Sequence, residues 1–186
     1  MNSNSKGHYQ NEKDCSCKKN KEDGTKVLLK CKSGVGTTVT VAGAVTPLPA
    51  VITQLAKFSL KTGCFHDPCT KFEFSTNLVT TPTAGNASTV VLTFQLFKLC
   101  RCETVPEAIG NVWSYPVPGA AVPLTTIITF IVCDCECDND CGYDDDCCSY
   151  YIAASTSTLS GAGTSTDVAF NNPTLSALVV DNTNHC

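Results

Sequence analysis

Several things are scarce in this chain, and each scarcity excludes a class of function. Its 186 residues include three histidines, His8, His66 and His185, with one methionine and one tryptophan. No G-x-S-x-G elbow, H-E-x-x-H pair or Lys-bearing phosphate loop occurs, so the common hydrolase, metalloprotease and nucleotide-binding signatures are missing. Cys64 with His66 is the one conceivable thiol–imidazole pair, yet neighbours two apart in a short loop rarely reach catalytic geometry. The expectation is a protein that is not an enzyme and holds no cofactor.

Long apolar runs are also lacking. Nothing approaches the ~18 to 20 apolar residues of a membrane helix, and MNSNSKGHYQNEKD has no apolar core of a secretory signal. The formal net charge of −4 offers no field that would gather nucleic acid or an anionic membrane. Neither nucleic acid nor membrane is therefore an expected partner. The charge is unevenly spread: eight of the 13 basic residues precede position 33, and seven of the 17 acidic ones lie between Asp134 and Asp146. A basic arm and an acidic knot result, and docking of one onto the next copy's other would steer subunits together.

What is abundant is cysteine, 14 residues in all. A chain of this length can bury a core without disulfides, so the thiols call for another purpose, either covalent cross-linking or metal binding. The units Cys15/Cys17, Cys100/Cys102 and Cys133/Cys135/Cys137 are C-x-C, followed by Cys141 and the adjacent Cys147 and Cys148. In a strand, residues two apart share a face, so the members of a C-x-C unit sit side by side and seek partners elsewhere. Zinc knuckles prefer C-x₂₋₄-C spacing, which makes a thiolate zinc site the alternative reading, with Cys64, His66 and Cys69 as one possible knuckle. The acidic knot lacks the glycine of a calcium-binding EF-hand loop and reads as a solvated loop.

Helical spacing is nearly absent. Residues 1 to 25 have no period and read as a flexible connector arm carrying Cys15 and Cys17. From 26 to 186 short alternating runs dominate, at 26 to 32, 37 to 43, 51 to 60, 89 to 100, 124 to 135, 147 to 157, 164 to 170 and 174 to 181, with Phe72 and Phe74 marking another. The prolines lie between the runs. Such a pattern predicts an all-β, jelly-roll-like antiparallel β-sandwich. Trp113 and Tyr115, in the Pro-rich VWSYPVP segment, are the only local candidates for a displayed binding surface, and packing explains them equally well.

The segments LKCKSGVGTTVTV, DPCTKFEFSTNLV, LTFQLFKLCRC, FIVCDCECDNDC, CCSYYI and NPTLSALVV resemble an uncharacterised cysteine-rich family of anaerobic endospore formers, of clostridial type. In plan rather than sequence, the chain is similar to endospore appendage pilins, small jelly-roll subunits with a cysteine-bearing N-terminal connector. That resemblance implies a disulfide-cross-linked extracellular fibre on the spore surface, made of copies of this chain, released by mother-cell lysis and held by an anchor protein. It implies Cys15 and Cys17 as connector thiols, with Cys31, Cys100, Cys102 or Cys186 as acceptors in a neighbouring subunit. Cys64, Cys69, Cys133, Cys135, Cys137, Cys141, Cys147 and Cys148 are then left as candidates for bonds within the domain.

Overall fold

The computed structural model describes residues 27–42, 51–62, 65, 68–84, 90–101, 103–117, 123–135, 147–158 and 165–181. The expected arm, 1 to 25, lies outside these. Nine strands are present among the described residues: β1 (Val27–Ser33), β2 (Thr37–Ala42), β3 (Val51–Lys61), β4 (Pro68–Ala84), β5 (Val90–Cys100), β6 (Glu107–Val117), β7 (Leu124–Asp134), β8 (Cys147–Thr158) and β9 (Ser165–Asp181). No helix occurs among the described residues.

Alternation explains why these segments become strands. In β5, Val90, Leu92, Phe94 and Leu96 are each no more than 1% exposed, while Val91 and Thr93 on the other face are half-buried. Side chains of period two bury one face of a sheet, and β-branched and aromatic residues fill that face well. One sheet runs β1–β9–β4–β7 with β2 also on β9, and the other runs β3–β8–β5–β6. Every pairing is antiparallel.

The pairing order identifies the architecture. β1 and β2 lie end to end along β9, since Ser33 faces Thr174 and Thr37 faces Phe170. Taken as one interrupted strand, they make eight strands that pair first with last: β1/β2 with β9, β3 with β8, β4 with β7 and β5 with β6. A single long hairpin rolled over itself produces this nesting, and the result is a jelly roll. The core lies between the sheets. Phe74 and Phe94 approach across it with ring centroids 6.0 Å apart, Phe94 meets Phe170 edge-on at 6.1 Å, and Phe72 meets Tyr150 at 4.6 Å.

The break at 34–36 has a packing cause. A Cβ on Gly34 would stand 1.9 Å from the Leu55 carbonyl oxygen of β3, so only glycine fits where the two sheets touch. The Gly34 N–H donates to the Pro173 carbonyl at 2.7 Å, and the facing Asn172 adopts φ 49°, a left-handed conformation that asparagine tolerates.

Three expectations about strands are corrected. Residues 107–117, not among the expected runs, form β6, whose residues are mostly exposed so that no alternation marks them. Prolines do occur inside strands. Pro116 sits on edge strand β6, Pro82 beside a register shift of β4, and Pro173 opposite the β1/β2 break, all places where a missing N–H costs no ladder bond. Pro173 therefore does not split 164 to 170 from 174 to 181, and β9 runs through it as one strand of 17 residues.

Candidate cross-linking surface

Among the described residues, Cys69, Cys100, Cys133, Cys135 and Cys148 gather at one end of the sandwich. β3 ends at Lys61 and β4 begins at Pro68, β7 ends at Asp134, β5 at Cys100 and β9 at Asp181, while β1 and β8 begin there. Lys98 of β5 and Asp134 of β7 join the sheets at this end, Nζ to Oδ2 at 4.0 Å, with both side chains about 7% exposed. A buried carboxylate needs such a partner, because an uncompensated charge in the interior is costly. Asp134, expected in a solvated acidic loop, is thus corrected to a buried group at the end of β7. The rest of the knot, 136–146, lies outside the described residues.

Among the described residues two disulfides close this end, both between directly opposed residues of antiparallel neighbours. Cys100 of β5 bonds Cys148 of β8 with Cα atoms 4.0 Å apart. Cys148 shares the inward face of Tyr150 and Ile152, so this bond caps the core. Cys69 of β4 bonds Cys135, just past β7, with Cα atoms 4.2 Å apart. Cys69 follows the outward parity of Lys71 and Glu73, and Cys135 is exposed, so the second bond lies on the outer face. Cys100 was expected to await a neighbouring subunit. The structure corrects that, because β5 and β8 pair in a register that sets the two cysteines face to face.

Two thiols remain free and exposed among the described residues, Cys31 and Cys133. Cys133 was expected to pair within the domain, and its position explains why it does not. It shares the outer face with Cys135, but its cross-strand partner on β4 is Lys71. Cys31, on β1, sits in the row Cys31–Ser176–Glu73–Ile131, while Cys133 closes the next row, Leu29–Leu178–Lys71–Cys133. Three strand spacings of ~4.8 Å separate β1 from β7 and one row of two residues separates the thiols along the strands, so the two thiols of one molecule stand roughly 16 Å apart, too far to bond to each other.

The surface between them mixes apolar and charged groups. Leu29 and Ile127 are 71% and 73% exposed, and Val27, Ile131 and Leu178 add to this apolar face. In its middle Lys71 Nζ meets Glu73 Oε1 at 2.7 Å. The hydrogen bond from Lys71 to Glu73, then the Glu73 charge, raises the lysine above its ordinary pKa, with Cys133 a lesser cause in the same direction. Both edges of the sheet are open among the described residues. β1 and β2 pair only with β9, and β7 pairs only with β4.

Cys15, Cys17, Cys64, Cys102, Cys137, Cys141 and Cys186 lie outside the described residues, as do the side chain of Cys147 and His66. Cys69 is engaged in its disulfide, which removes it from the C-F-H-D-P-C knuckle as a thiolate ligand. No group of three or more metal-ligating side chains gathers among the described residues. Trp113, on β6, stacks on Phe130 at 5.3 Å and 16°, so its ring packs against the core even though 44% of the residue is exposed.

No curated protein matches the chain. Among solved structures, infectious bursal disease virus Gx strain aligns at 13% identity and a TM-score of 0.27, over 83% of this chain and 41% of that one. The tailspike protein 4 domain of bacteriophage CBA120 aligns at 14% and 0.26, over 78% and 19%. This chain thus spans about two fifths or less of these structures, and scores so low carry no weight for fold or function. A family does match, over residues 25–180, and the chain belongs to it: the family described as a domain of unknown function, DUF4489.

Proposed function

We propose that this chain is a non-catalytic structural subunit that polymerises into a disulfide-cross-linked extracellular fibre on the spore surface. The carrying observation is the open-edged sheet β1–β9–β4–β7, which presents exposed apolar side chains and a free thiol on each edge strand. An open edge with unpaired N–H and C=O groups is a template for a further strand, and natural monomers usually blunt such edges. Here Val27, Leu29, Ile127 and Ile131 keep the outer face of these edges apolar, while Lys30 and Lys32 lie on the other face of β1. Copies of the chain join by strand addition, and Cys15 and Cys17 of the N-terminal connector add covalent bonds to neighbouring subunits. β1 begins at the cysteine end, so the chain enters the described domain there. An anchor protein at the spore surface completes the set of partners.

The test is electrophoresis of the oxidised chain with and without reductant, joined to negative-stain microscopy, for the wild type and a Cys15→Ser/Cys17→Ser double variant. Reductant-sensitive ladders and fibres that depend on the arm are the expected result. A wild type that stays monomeric and elutes with stoichiometric zinc overturns the fibre and makes the chain a metal-binding coat protein instead.

A further inference from the structure

We infer that the two free thiols are partners of each other across subunits: Cys133 on β7 of one copy bonds Cys31 on β1 of the next, as the outer sheet continues from molecule to molecule. The inference rests on the polymer reading and names a contact within it that does not use the arm.

Strand direction allows the continuation. β1, β9, β4 and β7 alternate in direction, so a β1 strand laid beside β7 in the same orientation as the first copy pairs with it antiparallel, and the sheet repeats without inversion. A head-to-tail contact of this kind generates an open filament when its rotation does not close a ring. Side-chain parity also allows it. Cys31 and Cys133 both lie on the outer face, and setting one opposite the other offsets the rows by two residues, which leaves every side chain on its own face. Ile131–Asp134 then runs against residues 30–33, and residues 124–127 against 37–40, with the β1/β2 break falling between. Directly opposed residues in such a pair have Cα atoms about 4.5 to 5.5 Å apart, inside the range a disulfide spans. Both described disulfides of the domain are already of this directly opposed kind.

Charge selects this pairing over the obvious rival. In the proposed register Lys30 of the incoming strand lies across from Asp134, whose carboxylate is turned inward to Lys98, and Lys32 lies across from Val132, so no like charges stand opposite each other. Were β1 to pair with β1 of another copy around Cys31, Lys30 would face Lys32 twice, and like charges directly opposite each other are destabilising. The outward neighbours agree: Leu29 falls opposite the Cys69–Cys135 disulfide, placing apolar surface on apolar surface.

Bond formation is a thiol–disulfide exchange. The Cys133 thiolate attacks oxidised glutathione, one glutathione thiolate leaves, and the Cys31 thiolate of the next copy displaces the second. One sulfur–sulfur bond breaks and one forms, two glutathione molecules leave reduced, and the protons of the two protein thiols end on them.

The experiment mixes isotopically light and heavy full-length chain, oxidises the mixture with glutathione disulfide, and maps cross-linked peptides by mass spectrometry, in the wild type and in Cys15→Ser/Cys17→Ser. The expected product is a light–heavy peptide joining Cys31 to Cys133 in both. It is lost in Cys31→Ser and in Cys133→Ser alone and regained when those two variants are mixed, with circular dichroism reporting that each is folded. Cys31–Cys31 or Cys133–Cys133 links overturn the inference, as does a bond from Cys31 to the arm. Arm-dependent fibres in which both thiols still react with iodoacetamide overturn it while leaving the fibre reading intact. The Cys31–Cys133 link without arm-dependent assembly keeps the inference and removes the connector role of Cys15 and Cys17. No intermolecular bond of any kind sinks both.

Discussion

β5 and β1 are both seven or more residues of apolar and polar side chains in antiparallel pairing, yet one is buried and the other almost wholly exposed. β5 has strands on both sides and the opposite sheet beneath it, so Val90, Leu92, Phe94 and Leu96 lose all contact with water. β1 has β9 on one side, Leu28 packs against the core with the Lys30 side chain over the Phe58 ring on the same face, and Val27, Leu29 and Cys31 face outward. A central strand is held by packing, whereas an edge strand here is held by its ladder and carries its chemistry on the surface. The same contrast separates the disulfides. Cys100–Cys148 lies against the core, and Cys69–Cys135 lies outside it, one row from a free thiol.

Mutations sharpen that contrast. Phe94→Ala removes a ring that touches Phe74, Phe130 and Phe170, and is expected to cost about 4 kcal/mol, read as a shift in the urea midpoint. Cys100→Ala opens a loop of 48 residues in the unfolded chain, and the chain-entropy account gives about 4 kcal/mol; a loss no larger than that of an exposed site would mean the bond does not cap the core.

Asp134→Asn leaves Lys98 buried beside a neutral partner, with an expected loss of about 3 kcal/mol by thermal unfolding. Gln95, whose Nε2 donates to the Ile109 carbonyl at 2.8 Å and to the Gly110 carbonyl at 3.3 Å, holds β6 at the β5 bulge. Gln95→Leu strands those carbonyls and is expected to cost about 1 to 2 kcal/mol, with amide exchange of β6 rising more than that of β8. At the other extreme, Leu29→Ser on β1 is expected to change monomer stability by no more than about 0.5 kcal/mol while weakening assembly. A large loss of stability at Leu29 would erase the distinction between centre and edge.

Much of the architecture was legible in the alternation. Val90 to Leu96 announces a strand because inward positions must be apolar and outward ones need not be, and the same logic found β2, β3, β7 and β8 closely. It failed at β6, where Gly110, Asn111, Ser114 and Pro116 break the pattern on an edge that buries little. It also failed at Pro173, which reads as a stop in a linear chain and is tolerated because the facing strand breaks at Gly34. At the site, the crowding of Cys133 and Cys135 on one face was visible in their spacing. That Cys135 finds Cys69 while Cys133 meets Lys71 was not, since it depends on the register of β4 against β7.

The sequence by itself determined an all-β chain, the faces its side chains occupy and the excess of thiols over what its core requires, because alternation and composition are local properties. Tertiary structure alone decided the pairing of first strand with last, the burial of Asp134 against Lys98, the bond from Cys100 to Cys148, and the stranding of Cys31 and Cys133 on opposite edges of one sheet. Those outcomes depend on register and strand order, which arise from contacts between residues tens of positions apart and leave no mark in the neighbourhood of any one of them.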